Sequence, residues 1–161
     1  MTRRPATDAE LDALESRIDT WLAEWSRASA ANADEAGDGR PLLMDVTRDS
    51  EVPRRWYVRL AGEARDVIAI WLTLRQRTLA YESYVLPVPP SRAAQVADFA
   101  LRRNYSLVGA QYGIGPEEAL YLTGELPTHC VDEHELDRIA GSLWAYAERD
   151  FPTLLRLAYP V

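Results

Sequence analysis

Residues 66–88, DVIAIWLTLRQRTLAYESYVLPV, constrain the fold more than any other part of the chain. Side chains alternate between the two faces of a strand. Over 66–74 this puts Ile68, Ile70, Leu72 and Leu74 on one face and Val67, Ala69, Trp71 and Thr73 on the other. A strand with one solvated face alternates apolar with polar residues, and this one does not, so both faces are expected to be covered. Over 78–86, Leu79, Tyr81 and Val85 share one side, while Thr78, Ala80, Glu82, Tyr84 and Leu86 share the other. Arg75-Gln76-Arg77 is the only polar break and has the length of a tight hairpin turn, without the Asn-Gly pair that would fix its register. Pro87, Pro89 and Pro90 end the second strand, because proline has no N–H for a ladder.

The covering elements lie on either side. Residues 7–27 predict a first helix opened by a capping box, Thr7-x-x-Glu10, with Leu11, Leu14, Ile18, Trp21, Leu22 and Trp25 on one stripe. That stripe packs on the chain's own sheet or on a partner. Residues 28–40, ASAANADEAGDGR, are too poor in apolar groups to order themselves and are expected to form a flexible acidic linker. A short strand is expected over 41–47. A clearly alternating one is expected over 54–61, with Trp56, Val58 and Leu60 opposite Arg55, Tyr57 and Arg59. Residues 90–103 predict a second helix with prolines in its first turn and Asn104 as a left-handed residue past its end. Strands are expected over 105–114 and 118–124, joined by the Gly113-x-Gly115-Pro116 turn. Asp132-x-x-Glu135 reads as a second capping box, opening a helix that Pro152 is expected to end or kink. The predicted class is α+β: an antiparallel sheet of five to six strands with helices packed on one face. The predicted order is α-β(β)ββ-α-ββ-α, in a single domain over 1–161 whose sheet and last two helices occupy 41–161.

Length and composition narrow the function. A chain of 161 residues, 47% apolar, is long enough for one sizeable core. Its formal net charge of -7 disfavours a nucleic acid partner, and the short basic pairs Arg54-Arg55 and Arg102-Arg103 do not reverse that. Lysine is absent, and every basic residue except two histidines is arginine. The single cysteine, Cys130, allows no internal disulfide and fits a reducing compartment. With no apolar run of membrane-spanning length, no membrane association is expected, and the expected location is the cytoplasm.

No catalytic, cofactor or metal site is assigned. His129, Cys130, Asp132, Glu133 and His134 form the one metal-like cluster, but it has neither CxxC nor HExxH spacing and sits where a loop enters a helix cap. His129 is badly placed to activate Cys130, since adjacent residues of an extended chain point apart. The run Gly109-x-x-x-Gly113-x-Gly115 lacks the Lys-Ser/Thr of a phosphate loop and precedes a strand, so it is expected to be a turn. Glu82 stands among apolar neighbours as an acid–base candidate or as an ion-pair partner of Arg59.

Residues 56–158 resemble the YbjN family of small bacterial proteins. The likeness is carried by the tyrosine-rich strand closing on Leu86-Pro87, the helix ending at Asn104, Tyr112-Gly113, Glu118-Ala-Leu-Tyr-Leu122 leading to Leu126-Pro127, and Glu135-Leu-Asp-Arg-Ile139. The resemblance implies a type III secretion chaperone-like fold, sensory transduction regulation, a tendency to dimerise and the binding of extended partner segments. It implies no active-site residues. The expected function is a non-enzymatic protein-binding module, chaperone-like or a regulatory adaptor, acting as a homodimer on a protein client. Its candidate surface comprises Trp21, Trp25, Val67, Trp71, Tyr81 and Tyr84. The alternative is a small-molecule or enzymatic domain with a pocket between sheet and helix, lined by Glu82, Tyr84 and Tyr112.

Overall fold

A computed structural model of the chain describes residues 4–32 and 40–161. Its elements run α1 (Asp8–Ala31), β1 (Leu43–Arg48), β2 (Arg55–Ala61), β3 (Val67–Leu74), β4 (Thr78–Pro87), α2 (Ala93–Asn104), β5 (Gln111–Gly115), β6 (Ala119–Pro127) and α3 (Glu133–Ala158). The strands form one six-stranded antiparallel sheet in the order β1-β2-β3-β4-β6-β5. This is the expected α+β class and element order.

The period-2 pattern decides which face is covered. Trp56, Val58 and Leu60 of β2 and Ile68, Ile70, Leu72 and Leu74 of β3 are all buried under the helices. Their alternates Arg55, Tyr57, Arg59, Val67, Ala69, Trp71 and Thr73 are only half-buried. The described chain therefore covers one face of the central hairpin and not both. The hairpin closes with Arg75 N–H donating to Thr78 O at 2.8 Å, in a register that sets Leu74 opposite Leu79 and Trp71 opposite Glu82. A bulge in β4 between Tyr84 and Leu86 shifts the alternation, so Leu86 turns inward with Val85 instead of opposing it.

Three of the residues expected on an interaction surface lie inside. Trp21 and Trp25 are buried, and their indole N–H groups donate to Asp137 Oδ1 (2.8 Å) and Pro41 O (3.1 Å). Trp56 likewise donates to Asp19 Oδ1 at 2.7 Å. Ion pairs join α1 to the sheet side and to α3: Asp12 and Glu15 of α1 with Arg54, Glu15 with Arg48 of β1, and Arg17 of α1 with Glu133 of α3. Such exposed pairs contribute little stability individually. Together with the three indole bonds they fix α1 on its own domain. Tyr81, the third, is buried because its strand parity points it inward, and its hydroxyl donates to Gly109 O. Gly124, opposite Tyr81 in the register, makes this fit possible, since a Cβ there would stand 2.4 Å from the ring.

Several boundaries differ from expectation. Residues 28–31 continue α1, and most of the expected linker, 33–39, lies outside the described residues. The Thr7–Glu10 capping box forms in full, with Arg4 first and Thr7 next holding the Glu10 carboxyl at about 2. The second box is half-formed: Asp132 accepts from Glu135 N–H, but the Glu135 carboxylate turns to Arg138 instead. Pro152 does not end α3. The helix continues to Ala158 because Leu154 and Ala158 bury against the core, although Pro152 has no N–H for the preceding turn. Gly113 and Gly115 of the expected turn lie within β5, and the chain turns at 116–118, where Glu117 and Glu118 are left-handed with φ of 62° and 52°.

Two glycines give opposite expectations. Gly124→Ala drives a Cβ into the Tyr81 ring and lowers unfolding stability by about 1–3 kcal/mol. In α3, Gly141 has open space at its Cβ position, so Gly141→Ala raises stability by about 0.5–1 kcal/mol through helix propensity. Urea unfolding of the two variants beside wild type checks both signs.

Candidate protein-docking surface

The outer sheet face carries no helix of the described chain. At its centre the Tyr57 and Trp71 rings stack with centroids 4.4 Å apart, and the Arg55 guanidinium lies 4.3 Å over Trp71. Further along, Tyr84 and Tyr121 meet edge-to-face at 5.6 Å. The charges on this face are paired with one another: Arg59 with Asp45 at 3.0 Å, Arg55 with Glu82 at 3.5 Å, and Arg75 with Glu125 at 3.3 Å. Glu82 thus pairs with Arg55 and not with Arg59, because Trp71 and its Arg55 sandwich lie directly across the ladder from it. Towards β5 the face dips into an open trough of about 1330 Å³. Its floor includes Trp71, Thr73, Ala80 and Thr123; Val52 and Pro53 wall one side, and Leu107 and Gly109 wall the other.

Each edge of the sheet is capped at one residue by a side chain. At β5, the Asn104 side chain donates to Tyr112 O (3.1 Å) and accepts from Tyr112 N–H (2.7 Å), occupying the backbone groups that an added strand would use. Asn104 is the last helical residue of α2 and not the left-handed residue expected there. At β1, Ser29 of α1 accepts from Leu43 N–H at 2.9 Å, and an irregularity between Leu43 and Asp45 breaks the ladder. Between β3 and β4 a split beyond Trp71 is filled by side chains. Ser83 donates to Ala69 O (2.7 Å), and Arg65 donates to Tyr84 O (3.1 Å) and Val85 O (2.7 Å). Burial lowers the Arg65 pKa.

The corner that walls the trough is held by a buried carboxylate. Asp150 of α3 is 0% exposed. It accepts from Tyr112 OH (2.9 Å) and from Arg149 at Nε (2.8 Å) and Nη2 (3.0 Å). Arg103 of α2 brings its Nε within 3.0 Å as a charge partner, although that N–H finds no aligned acceptor. Asp150 therefore ties α3 to both α2 and β5. Burial first, and the Asp150 carboxylate second, push the Tyr112 phenol well above its usual range. Sequence reading missed this cluster, yet a signal was present: Asp150 continues the inward series Leu143, Ala147, Leu154 at helical spacing.

Next to the trough, α2 and the turn after it present an unexpected apolar ridge. Leu101 is 70% exposed, Tyr105 97% and Val108 70%. Tyr105 was expected to start a strand, but it follows α2 in helical conformation and stands on the solvent side.

Of the expected surface residues, Val67, Trp71 and Tyr84 share the outer face, and Trp21, Trp25 and Tyr81 do not. Of Glu82, Tyr84 and Tyr112, Glu82 and Tyr112 both line the open trough and Tyr84 does not, and the Tyr112 hydroxyl is turned inward to Asp150. Between helices and sheet, the hollow lined by Trp21, Trp25 and Ile70 holds about 10 Å³, far below the roughly 300–1,000 Å³ of a small-molecule site. Among the described residues, no group of three or more His, Cys, Asp or Glu side chains is arranged to hold a metal ion. No described helix is long and apolar enough to cross a membrane.

Comparison with known proteins agrees with this architecture. The model of the YbjN family, described as "Putative bacterial sensory transduction regulator", matches residues 34–156. The chain is similar to the uncharacterized protein Rv0487 of Mycobacterium tuberculosis, at 30% identity over 112 residues, 70% of this chain and 61% of that protein. It is also similar to the uncharacterized protein ML2442 of Mycobacterium leprae, at 31% identity over 105 residues, 65% of this chain and 57% of that protein. The matched part is thus about three fifths of the length of these curated relatives. Among solved structures, it resembles a chain of the heterodimeric complex ExoU-SpcU from the type III secretion system of Pseudomonas aeruginosa. The TM-score is 0.54 at 18% identity, covering 89% of this chain and 99% of that chain. The fold is the type III secretion chaperone-like one that the sequence implied.

The Tyr112–Asp150 bond makes a pH-dependent expectation. A phenol whose pKa is raised by folding contributes stability that is present below its unfolded value near 10 and is lost as pH rises beyond it. At pH 8, Tyr112→Phe loses a hydrogen bond to a charged acceptor and about 1–3 kcal/mol of stability. Above about pH 10 that deficit shrinks, because the variant has no phenol to hold neutral. Urea unfolding of both proteins at the two pH values measures the gap, and a gap that widens with pH contradicts this assignment.

Proposed function

The chain belongs to the YbjN family, and from that premise we propose that it is a non-enzymatic protein-binding module, a chaperone-like or regulatory adaptor acting as a dimer in the cytoplasm. The observation that carries this reading is the outer sheet face. It presents Tyr57, Trp71 and Tyr84 without a described helix over them, on a sheet capped at one residue of each edge. Aromatic and arginine side chains are the residues that dominate protein interfaces.

The capped edges bear on the partner segment. A strand docking by β-augmentation needs open backbone groups on a sheet edge. Here Ser29 and Asn104 occupy some of those groups at each edge, which favours a partner lying across the face and making contact through side chains. Such a segment has to satisfy its own backbone hydrogen bonds, which an amphipathic helix does. The trough, being open and wide, fits a helix better than a small ligand. The alternative of a pocket between sheet and helices is disfavoured by the filled core there.

Trp71→Arg keeps the strand pairing and removes the aromatic centre of the face. A partner captured from the native organism is to be purified and recombined with wild-type and variant chains. Titration calorimetry is expected to show binding to wild type weakened about 30-fold or more in Trp71→Arg, the size of a hot-spot loss. Equal affinity for both chains overturns the assignment of this face. A wild type that forms no complex with any protein, itself included, overturns the function.

A further inference from the structure

A second hollow opens on the helical side of the molecule, away from the outer face. It lies between the N-terminal half of α1, with the residues just before it, and the 128–131 segment that leads from β6 into α3. It holds about 490 Å³, within the roughly 300–1,000 Å³ of a small-molecule site. It shares no lining residue with the trough or with the filled space between helices and sheet. We propose that this cleft binds a small organic carboxylate with an apolar body, the chemistry of a medium-chain fatty acid. The inference goes beyond the protein-docking reading and does not rest on it.

The walls of the cleft are fixed in advance. Ala6 N–H donates to Gln76 O at 2.8 Å and Thr128 N–H donates to Arg77 O at 3.0 Å, so one hairpin turn holds both sides. A third tie joins the same two sides, since Arg17 of α1 donates to Glu133 of α3 through Nε (3.3 Å) and Nη2 (2.9 Å). Walls that need no ordering lose less affinity on binding. The apolar lining is Ala6, Ala13, Leu14 and Val131. Two of these four are alanines, and their small side chains leave the room that the body of a ligand fills.

The polar lining selects the head group. Glu10 is the one carboxylate in it, and both its oxygens are taken. Oε1 accepts from Arg4, and Oε2 accepts from Arg4 and from the Thr7 backbone N–H and hydroxyl. A cationic ligand therefore finds no free acceptor side chain here, despite the formal net charge of -7 that draws cations to the molecule as a whole. Donors do remain. The Thr128 hydroxyl and the His129 imidazole line the cleft with no hydrogen bond or ion pair among the described residues, and Arg17 keeps Nη1 beyond its two bonds to Glu133. Donors without free acceptors complement a carboxylate, and a guanidinium makes the stronger, charge-assisted kind of bond to it. The α1 N-terminus is not the attraction, because its capping box already forms in full.

Octanoate is the probe, and octylammonium, with the same tail and the opposite charge, is its control. In nuclear magnetic resonance titrations of the nitrogen-labelled full chain, octanoate is expected to shift the amides of 13–17 and 128–131 saturably, with a Kd on the order of 1 mM or below. Octylammonium is expected to leave them in place. Arg17→Gln weakens octanoate about 10-fold or more, the loss of a charged donor. Ala13→Trp, at an exposed position of α1, fills the cleft and abolishes the shifts at 128–131. Thermal melting verifies that both variants fold. Trp71→Arg, altered only on the outer face, binds octanoate as wild type does. The absence of a saturable shift, equal binding of octylammonium, or unchanged octanoate affinity in either cleft variant overturns the proposal. Binding lost in Trp71→Arg and kept in Ala13→Trp places the ligand in the trough and overturns it too. None of these outcomes bears on protein binding at Trp71, so a failed carboxylate site and a failed docking face are told apart.

Discussion

The architecture depends on the pairing of β2 and β3, which puts every large aliphatic side chain of both strands on one face. Trp56, Val58 and Leu60 align across the ladder with Leu72, Ile70 and Ile68. Burying such side chains gains roughly 25 cal/mol per Å² of apolar surface, enough to order α1 and α3 over them. A slip of one residue would expose the whole set. The opposite parity, Arg55, Tyr57 and Arg59 across from Thr73, Trp71 and Ala69, is thereby fixed as the outer face. The candidate docking surface is thus a consequence of the core register and needs no separate device to place it.

What keeps that face usable is its flat layering of arginine on aromatics. Arg55 covers Trp71 with only a quarter or so of its side chain exposed, and Tyr57 lies tilted against the same ring. A guanidinium is weakly hydrated and planar, so it can lie over an indole and still pair with Glu82. A lysine would make a poorer lid, being a compact and strongly hydrated charge on a flexible stem. The complete absence of lysine fits an outer face on which the guanidinium of Arg55 lies over Trp71.

Periodicity made much of this legible from sequence. The nine elements, the inward stripe of α1, both helix N-caps and the central hairpin follow from apolar spacing and cap chemistry. Where legibility ended, a single long-range contact had overridden a local rule. Asn104 looks like a helix terminator, but the Tyr112 backbone, distant by one turn of chain, gives its amide a better partner. Leu86 is inward because of a bulge that no pattern announces. The aromatic weight of Trp21 and Trp25 was attributed in part to a partner, while Asp137, Asp19 and Pro41 supply the polar groups that let three indoles be buried on the domain. Asp150 was hidden by its own charge: an acid at a core position of a helix reads as surface until its two arginines and its tyrosine are seen around it.

The same carboxylate explains why a short helix can carry an exposed apolar ridge. Val96 and Ala100 of α2 are buried, and Ala93 and Phe99 pack partly buried against the core. Polar restraint is added at the last turn, beside Leu101 and Tyr105: Arg103 to Asp150 on one side and Asn104 to Tyr112 on the other. An ion pair with one partner buried is a poor source of net stability, since desolvation cancels much of the attraction, and what it adds is orientation. Its place at the last turn of α2, and not at the Pro90 end, holds that turn against α3 and β5 while Leu101 and Tyr105 stay exposed beside it.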